Sequence, residues 1–222
     1  MLLITKKTMT YLPSHFKETN PATLYTLVRD YPLATWVVPA QGELLVNHIP
    51  FLLDETRGEH GTLVGHVARA NPVWQALQAG AVSGVAVFSG PQAYVSPNWY
   101  PSKQAHGKEV PTYNFVAVHA HGVAQVVHDT QRLLDIVTRL TQRHEASQAA
   151  PWSVSDAPAD YINKMLGAIV GIEIPVQRWV GKWKTSQNKP VPEQRGVVAG
   201  LSAHGGESEA RMAQLIAQQI SV

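Results

Sequence analysis

Short runs of alternating apolar and polar residues dominate this chain and predict a mainly β structure. One predicted strand holds Pro50, which cannot donate to a strand ladder, so that strand is expected at an edge or with a bulge. The polar residues 54–61 predict a hairpin loop, and a bend is expected near His121 and Gly122. The predicted strands cover residues 33–38, 44–53, 62–68, 82–88 continuing to 95, 113–127, 169–176 and 178–183.

Fewer segments have the helical period. Asp129 is a cap residue before Leu133, Ile136 and Leu140, which share one face, so a helix is predicted over residues 130–144. Residues 184–195 are polar and predict a loop. Because the strands follow one another through short turns, the pattern favours a small antiparallel barrel with peripheral helices, an α+β fold rich in β. Further helices are predicted over residues 21–29, directly after Asn71-Pro72, and over residues 159–166 and 208–219.

Composition narrows the class of protein. The chain has 222 residues, of which 45% are hydrophobic and 15% charged, as in a folded globular protein. Its net charge of +2 is too small for the concentrated basic surface of a nucleic-acid-binding protein. It contains no cysteine, which excludes disulfides and thiolate chemistry. No apolar run reaches transmembrane length, so we expect a cytoplasmic protein without a membrane partner.

Several familiar catalytic and binding motifs are absent from the sequence. It holds no phosphate loop, no G-x-G-x-x-G turn, no G-x-S-x-G elbow and no H-E-x-x-H pair. His119 and His121 share one face of a predicted strand, but no third ligand accompanies them, so no metal is predicted. No helix-turn-helix with a basic second helix is present, which leaves direct DNA contact without a recognisable motif.

Two segments suggest a site for a planar anionic ligand. The run from Phe88 to Lys103 combines aromatic, proline and hydroxyl residues with one terminal cation. Arg69 and Asn71 follow another strand and precede a helix, where a guanidinium and free amides suit a phosphate. For any one of these side chains alone, packing or a solvated surface is the more usual role, and only their occurrence together favours a ligand. The basic segment from Lys182 to Lys189 is either a solvated loop or a second polar wall for a phosphate, a substrate anion or nucleic acid.

The ordered motifs resemble those of the PaiB-type proteins, the FMN-binding negative transcriptional regulators of the FMN-binding split-barrel superfamily. The resemblance covers about residues 9–201. Met1–Thr8 is therefore expected to be an N-terminal extension, or else the start codon is misplaced and the true start is Met9. Residues 202–222 are expected to form a separate C-terminal helix. The matching segments are Tyr11–Phe16, Asn47–Phe51, Gly65–Pro72, Phe88–Tyr100 and Lys184–Asn188.

The resemblance implies an antiparallel split β-barrel that binds FMN near the subunit interface of a homodimer. By analogy with the superfamily, Arg69 and Lys103 hold the phosphate, with help from three polar neighbours. Two residues of the second strand pass close to the ring; no catalytic residue is assigned. The helping residues are His66, Asn71 and Ser102, and the two near the ring are His48 and Pro50.

The implied function is negative transcriptional regulation, exerted directly on DNA or indirectly. Because fold relatives include flavin-dependent oxidoreductases and haem-binding or haem-degrading proteins, an enzymatic function is the alternative. A dimeric module whose cofactor pocket has degenerated is a third interpretation. The sequence identifies no general acid or base, and His48 and His66 are candidates for proton transfer only on the ground that a neutral imidazole could face the ring.

Overall fold

The structure is a computed structural model that describes residues 10–80 and 83–220. The predicted extension over residues 1–8, the alternative start Met9 and the predicted strand start at Val82 lie outside the described residues. None of the helices in the described ranges is both long and apolar enough to cross a membrane.

Nine strands are described, and all pairs whose register is known are antiparallel. Hydrogen-bonded neighbours follow the order β3-β2-β6-β7-β9-β5-β4, and β1 and β8 also pair with β9. The predicted class, mainly antiparallel β with helices, is confirmed. The strands are β1 (Lys17–Glu18), β2 (Leu33–Ala40), β3 (Glu43–Pro50), β4 (Leu52–Asp54), β5 (Thr62–Ala68), β6 (Ser83–Val95), β7 (Thr112–Val123), β8 (Gln125–Val127) and β9 (Ile169–Lys184).

Seven α-helices occur in the described residues, with short 3-10 turns at Ser14–Phe16, Pro97–Trp99 and Val154–Asp156. The helix predicted from the Asp129 cap is confirmed, and the Asp129 carboxylate accepts the Arg132 N–H at 2.8 Å. The helices are α1 (Pro21–Asp30), α2 (Val73–Ala79), α3 (Pro101–His106), α4 (Thr130–Glu145), α5 (Ala159–Gly167), α6 (Val191–His204) and α7 (Glu207–Ile220).

Several local predictions were wrong, including the single strands predicted over residues 44–53 and 113–127, which are divided into β3 and β4 and into β7 and β8. Residues 191–204 form a helix, although the chain up to Arg195 was predicted to be a loop. The predicted pair of strands over residues 169–183 is one continuous strand, β9. Part of the predicted loop after Phe88 forms α3, so Ser102 and Lys103 lie on a helix. In each case contacts distant in sequence outweigh a weak local preference.

The chain divides into two compact units. The small unit contains the described part of residues 1–19 together with residues 89–117 and 181–222. The large unit contains residues 20–88 and 118–180. Strands β6, β7 and β9 each contribute residues to both units.

The core of the large unit follows from the alternation in its strands. Along β2, Ala34, Trp36 and Val38 are buried, and the Trp36 ring meets the Phe51 ring edge-on at 6.1 Å between centroids. Helix α4 packs the side chains of Ile136 and Leu140 against β5. One face of β5 is therefore covered by a helix.

The core of the small unit joins β6 and its following turn to the last two helices. Tyr100 is almost completely buried among side chains of α6 and α7, including Leu201 and Ile216. Two glycines of α6 allow this close packing. A Cβ at Gly200 would lie 2.2 Å from Trp99 Cδ2, and one at Gly196 would lie 2.0 Å from the Trp99 carbonyl oxygen.

Candidate functional site

The seven predicted cofactor residues are divided between the two units. Five of them lie in the large unit, namely His48, Pro50, His66, Arg69 and Asn71. Ser102 and Lys103 lie in the small unit.

Arg69 follows the end of β5 and ties that end to the start of β9. Its Nε donates to the Gly167 carbonyl at 2.6 Å, and its Nη2 donates to the Ile169 carbonyl at 2.9 Å. Within residues 10–80 and 83–220, its Nη1 nitrogen makes no hydrogen bond. The exposed guanidinium is thus oriented by two carbonyls and keeps donors for an anion.

Asn71 joins the start of α2 to β3. Its Oδ1 accepts the Val73 N–H at 3.0 Å, and its Nδ2 donates to Asn47 Oδ1 at 2.7 Å. The short helix predicted after Asn71-Pro72 is confirmed, but it begins at Val73 with Pro72 as its N-cap residue, where Asn71 was predicted as the cap and Pro72 as the first helical residue. The role of Asn47 was not predicted, because nothing in the local sequence relates two asparagines 24 residues apart.

His66 lies on the face of β5 that is covered by α4. Its cross-strand partner is Gly171, and a Cβ there would lie 3.0 Å from Leu133 Cδ2 of α4. Burial lowers the pKa of His66, so the imidazole is neutral at neutral pH. Its Nδ1 is buried and has no hydrogen-bond partner among the described residues.

His48 and Pro50 lie on the exposed face of the β2–β3 hairpin, where they stand opposite Thr35 and Leu33. The expectation of an edge strand is confirmed, because β3 is terminal in the strand order. The same face carries Leu44 and Val46, which are 66% and 54% exposed. Exposed apolar side chains that adjoin one another in this way mark a surface suited to contact with another molecule.

In the small unit, Ser102 lies between two carboxylates. Its N–H donates to Glu193 at 3.1 Å, and its hydroxyl donates to Glu109 at 3.0 Å. The Lys103 ammonium donates to Asn98 Oδ1. Sequence analysis missed Glu109 and Glu193, and Glu193 lies 91 residues from Ser102, so no local motif relates them.

The donors in the large unit fit a phosphorylated planar ligand. Arg69 supplies a fixed guanidinium for an anion, and the buried Nδ1 of His66 is a polar atom that still requires a partner. The Asn71 amide is held beside the same strand end. No group of three His, Cys, Asp or Glu side chains that could hold a metal ion occurs in the described ranges.

Comparison with known sequences identifies relatives over nearly the whole chain. The family described as "Putative FMN-binding domain" matches residues 10–178. An uncharacterized protein of Emericella nidulans is 31% identical, over 94% of this chain and 97% of its own length. The protease synthase and sporulation protein PAI 2 of Bacillus subtilis is 27% identical, over 95% of this chain and 98% of its own.

Comparison with solved structures shows the same fold in proteins of low sequence identity. The FAD and heme binding protein of Mycobacterium smegmatis has a TM-score of 0.58 at 17% identity, with 86% of this chain and 80% of that chain covered. The flavocytochrome Anf3 of Azotobacter vinelandii has a TM-score of 0.54 at 13% identity, with 80% and 74% covered. With the family match over residues 10–178, these findings confirm the resemblance seen in the motifs: the chain belongs to the PaiB-like family of FMN-binding split-barrel proteins.

Proposed function

We propose that this protein binds FMN. The observation that carries the proposal is the end of β5 in the large unit, where an oriented guanidinium, a held amide and an unpartnered buried imidazole nitrogen occur within six residues. Membership of an FMN-binding family supports FMN as the flavin. Two structural neighbours, one an FAD and heme binding protein and one a flavocytochrome, agree with a flavin ligand.

Two separate sets of residues are proposed as contacts to FMN, one within each unit, and each set stands by itself. In the large unit, Arg69 binds the phosphate, His66 and Asn71 supply polar contacts, and His48 and Pro50 lie along the ring. In the small unit, Lys103 and Ser102 contribute a cation and a hydroxyl. Bound FMN supplies one- and two-electron transfer, while the protein residues hold and orient it.

A homodimer is proposed as the working assembly, with the exposed face of the β2–β3 hairpin as the contact surface. Leu33, Leu44 and Val46 on this face are each more than half exposed, and Val37 stands opposite Val46. An apolar surface of this kind, on a terminal strand pair, is stabilised when a second molecule covers it. His48 and Pro50 share the surface, which would bring the proposed ring contacts close to the subunit interface.

We further propose that the protein acts in transcriptional control in the cytoplasm, by an indirect route. Its full-length similarity to the protease synthase and sporulation protein PAI 2 of Bacillus subtilis supports a regulatory role. The small net charge and the absence of a recognisable DNA-binding motif favour action through a partner or through the flavin.

Two measurements on the purified protein test the cofactor proposal. The absorption spectrum shows whether flavin is already bound, and titration with added FMN, monitored by fluorescence quenching, gives the affinity. We expect saturable uptake of FMN by the wild type. Arg69→Ala should weaken affinity about tenfold or more, because it removes a charged hydrogen bond to the phosphate. Lys103→Ala tests the small-unit residues by themselves, and unchanged affinity in both variants would refute the assigned residues. Arg195→Ala and Lys108→Ala, which alter exposed cations, should leave affinity unchanged. Absence of FMN uptake by the wild type would refute the proposal.

The regulatory proposal is tested in cells. A strain lacking the gene should change its transcript profile, and the wild-type gene should restore it while the gene for Arg69→Ala should not. A mobility-shift assay with the affected promoters should show no complex with the pure protein. A specific complex at physiological salt would show direct DNA contact instead.

A further inference from the structure

The small unit contains a polar cavity of about 270 Å³, distinct from the residues proposed above for FMN. At ~30 Å³ per water this volume corresponds to roughly nine water molecules, the size of a small metabolite. The cavity lining includes Tyr100, Thr112, Asn114, Lys184, Ser186 and Lys189.

Lys184 provides an uncompensated positive charge at this cavity. Its ammonium donates to the Thr112 hydroxyl and to the Tyr113 carbonyl at 2.6 Å, which leaves one of three N–H groups for a ligand. No carboxylate pairs with it in the part of the chain that the structure describes. Burial, with a smaller effect from the positive charge of Lys182, lowers the pKa of Lys184, as expected for a cation without a counter-ion.

The second cation at the cavity is already neutralised. Lys189 Nζ donates to Glu109 at 2.6 Å and lies 4.7 Å above the centre of the Tyr100 ring. Among the residues that line the cavity, Lys184 is therefore the cation without a counter-ion, while burial and the nearby carboxylates of Glu109 and Glu193 raise the pKa of Tyr100. A ligand with a single negative charge would neutralise the positive charge of Lys184, whereas a phosphate dianion would be repelled by Glu109.

The side-chain amide of Asn114 places a second, independent requirement on a ligand of this cavity. It is 1% exposed, and its Nδ2 donates to the Ser186 hydroxyl at 2.9 Å. Its Oδ1 is buried without a hydrogen-bond partner among the described residues, so an acceptor at the cavity wall requires an N–H or O–H donor. Ser186, which orients this amide, has a φ of 67°, in the left-handed region that non-glycine residues rarely adopt.

We propose that this cavity binds a small organic monocarboxylate that also carries an N–H or O–H group. The carboxylate accepts the free N–H of Lys184, and the donor group of the ligand satisfies Asn114 Oδ1. An N-acylated amino acid or a hydroxy acid has this chemistry and this size. The proposal does not depend on flavin binding, because none of these residues belongs to the proposed FMN set.

Binding of N-acetylglycine to the full-length protein tests the proposal. Calorimetry measures the affinity, and the side-chain amide signal of Asn114 in NMR spectra reports contact at the cavity. Two matched probes separate the two contacts. The methyl ester of N-acetylglycine lacks the charge, and N-acetylsarcosine lacks the N–H. We expect saturable binding of N-acetylglycine and at least about tenfold weaker binding of both analogues. Methyl phosphate tests the dianion and should bind weakly or not at all.

Variants of the protein complete the test. Lys184→Gln and Asn114→Leu should each weaken N-acetylglycine binding about tenfold or more, whereas Lys108→Gln, at an exposed cation of the same unit, should not. FMN uptake should be unchanged in Lys184→Gln. The proposal is overturned if N-acetylglycine does not bind the wild type or if its methyl ester binds equally well. Loss of FMN uptake in Lys184→Gln would likewise overturn it, by assigning the cavity to the flavin.

Discussion

Arg57 binds Glu173 through both of its terminal nitrogens, at 3.0 Å from Nη1 to Oε1 and 2.7 Å from Nη2 to Oε2. Glu173 lies on β9 and is only 2% exposed, and Arg132 of α4 donates to its Oε2 at 2.5 Å. Burial by itself would raise the pKa of Glu173, but the hydrogen bonds from both arginines outweigh burial, so the pKa is lowered. One carboxylate thus joins the 54–61 loop, α4 and β9 within the large unit.

Replacing this carboxylate should destabilise the large unit. In Glu173→Gln the amide cannot accept all three charged hydrogen bonds, so we expect a loss of about 1.5–3 kcal/mol in unfolding free energy. The arginines are partly exposed and regain water, which keeps the loss at this level. Urea denaturation measures the change. Glu59→Gln, at a largely exposed carboxylate, should change stability by less than about 0.5 kcal/mol, and equal effects of both substitutions would contradict the prediction.

A partly buried histidine of β7, His121, should make stability depend on pH between about 6.5 and 4. Burial, together with the positive charges of Arg178 and His119, lowers the pKa of His121 from 6.5 to about 4. Between these values the unfolded chain binds a proton that the folded chain does not, so the unfolding free energy decreases as the pH falls. His121 is partly exposed, so we expect its share to be about 1–3 kcal/mol.

Denaturation of His121→Gln across this pH range checks the assignment. The decrease should become shallower in this variant, although not absent, because burial also lowers the pKa of His66. His204→Gln, at an exposed histidine of α6, should keep the wild-type profile. A wild-type slope in His121→Gln would show that another group is responsible.

The substitution Gly200→Ala in helix α6 should lower the free energy of unfolding, although alanine is intrinsically a better helix former than glycine by about 1 kcal/mol. Because the added Cβ would lie 2.2 Å from Trp99 Cδ2, the ring or the helix must move, and we expect a net loss of about 1–3 kcal/mol. Gly167→Ala, in α5, meets no atom within 4 Å and should be neutral or slightly stabilising. Thermal unfolding of both variants distinguishes them, and a stabilised Gly200→Ala would contradict the packing.

The proposed dimer surface predicts a change of assembly in Val46→Glu. A carboxylate in the middle of an apolar subunit contact loses its water on association, so the variant should be monomeric at concentrations where the wild type is dimeric. Sedimentation velocity measures this directly. The matched control is Val191→Glu, at another exposed valine, which should remain dimeric. A dimeric Val46→Glu variant would place the subunit contact elsewhere.

Much of the fold could be predicted from local pattern. The strands at residues 33–38 and 62–68 and the helix after Asp129 have strong periodicity and clear end signals, and they occur as β2, β5 and α4. Helix α6 could not be predicted, because Gly196 and Gly200 weaken the local helix signal. Those glycines are required by the Trp99 side chain and backbone, about 100 residues earlier in the chain.

For the candidate site, the sequence alone determined the residue types and the family: a basic and amide-bearing strand end, an aromatic segment and ordered motifs that the family match confirms. Only the tertiary structure decided which donors are already used. In the tertiary structure Arg69 donates to two carbonyls and Ser102 lies between two carboxylates. Asn114 Oδ1 has no hydrogen-bond partner among the described residues. The physical reason is that chemical type and period are local properties, whereas burial and hydrogen-bond partners depend on segments far apart in the chain.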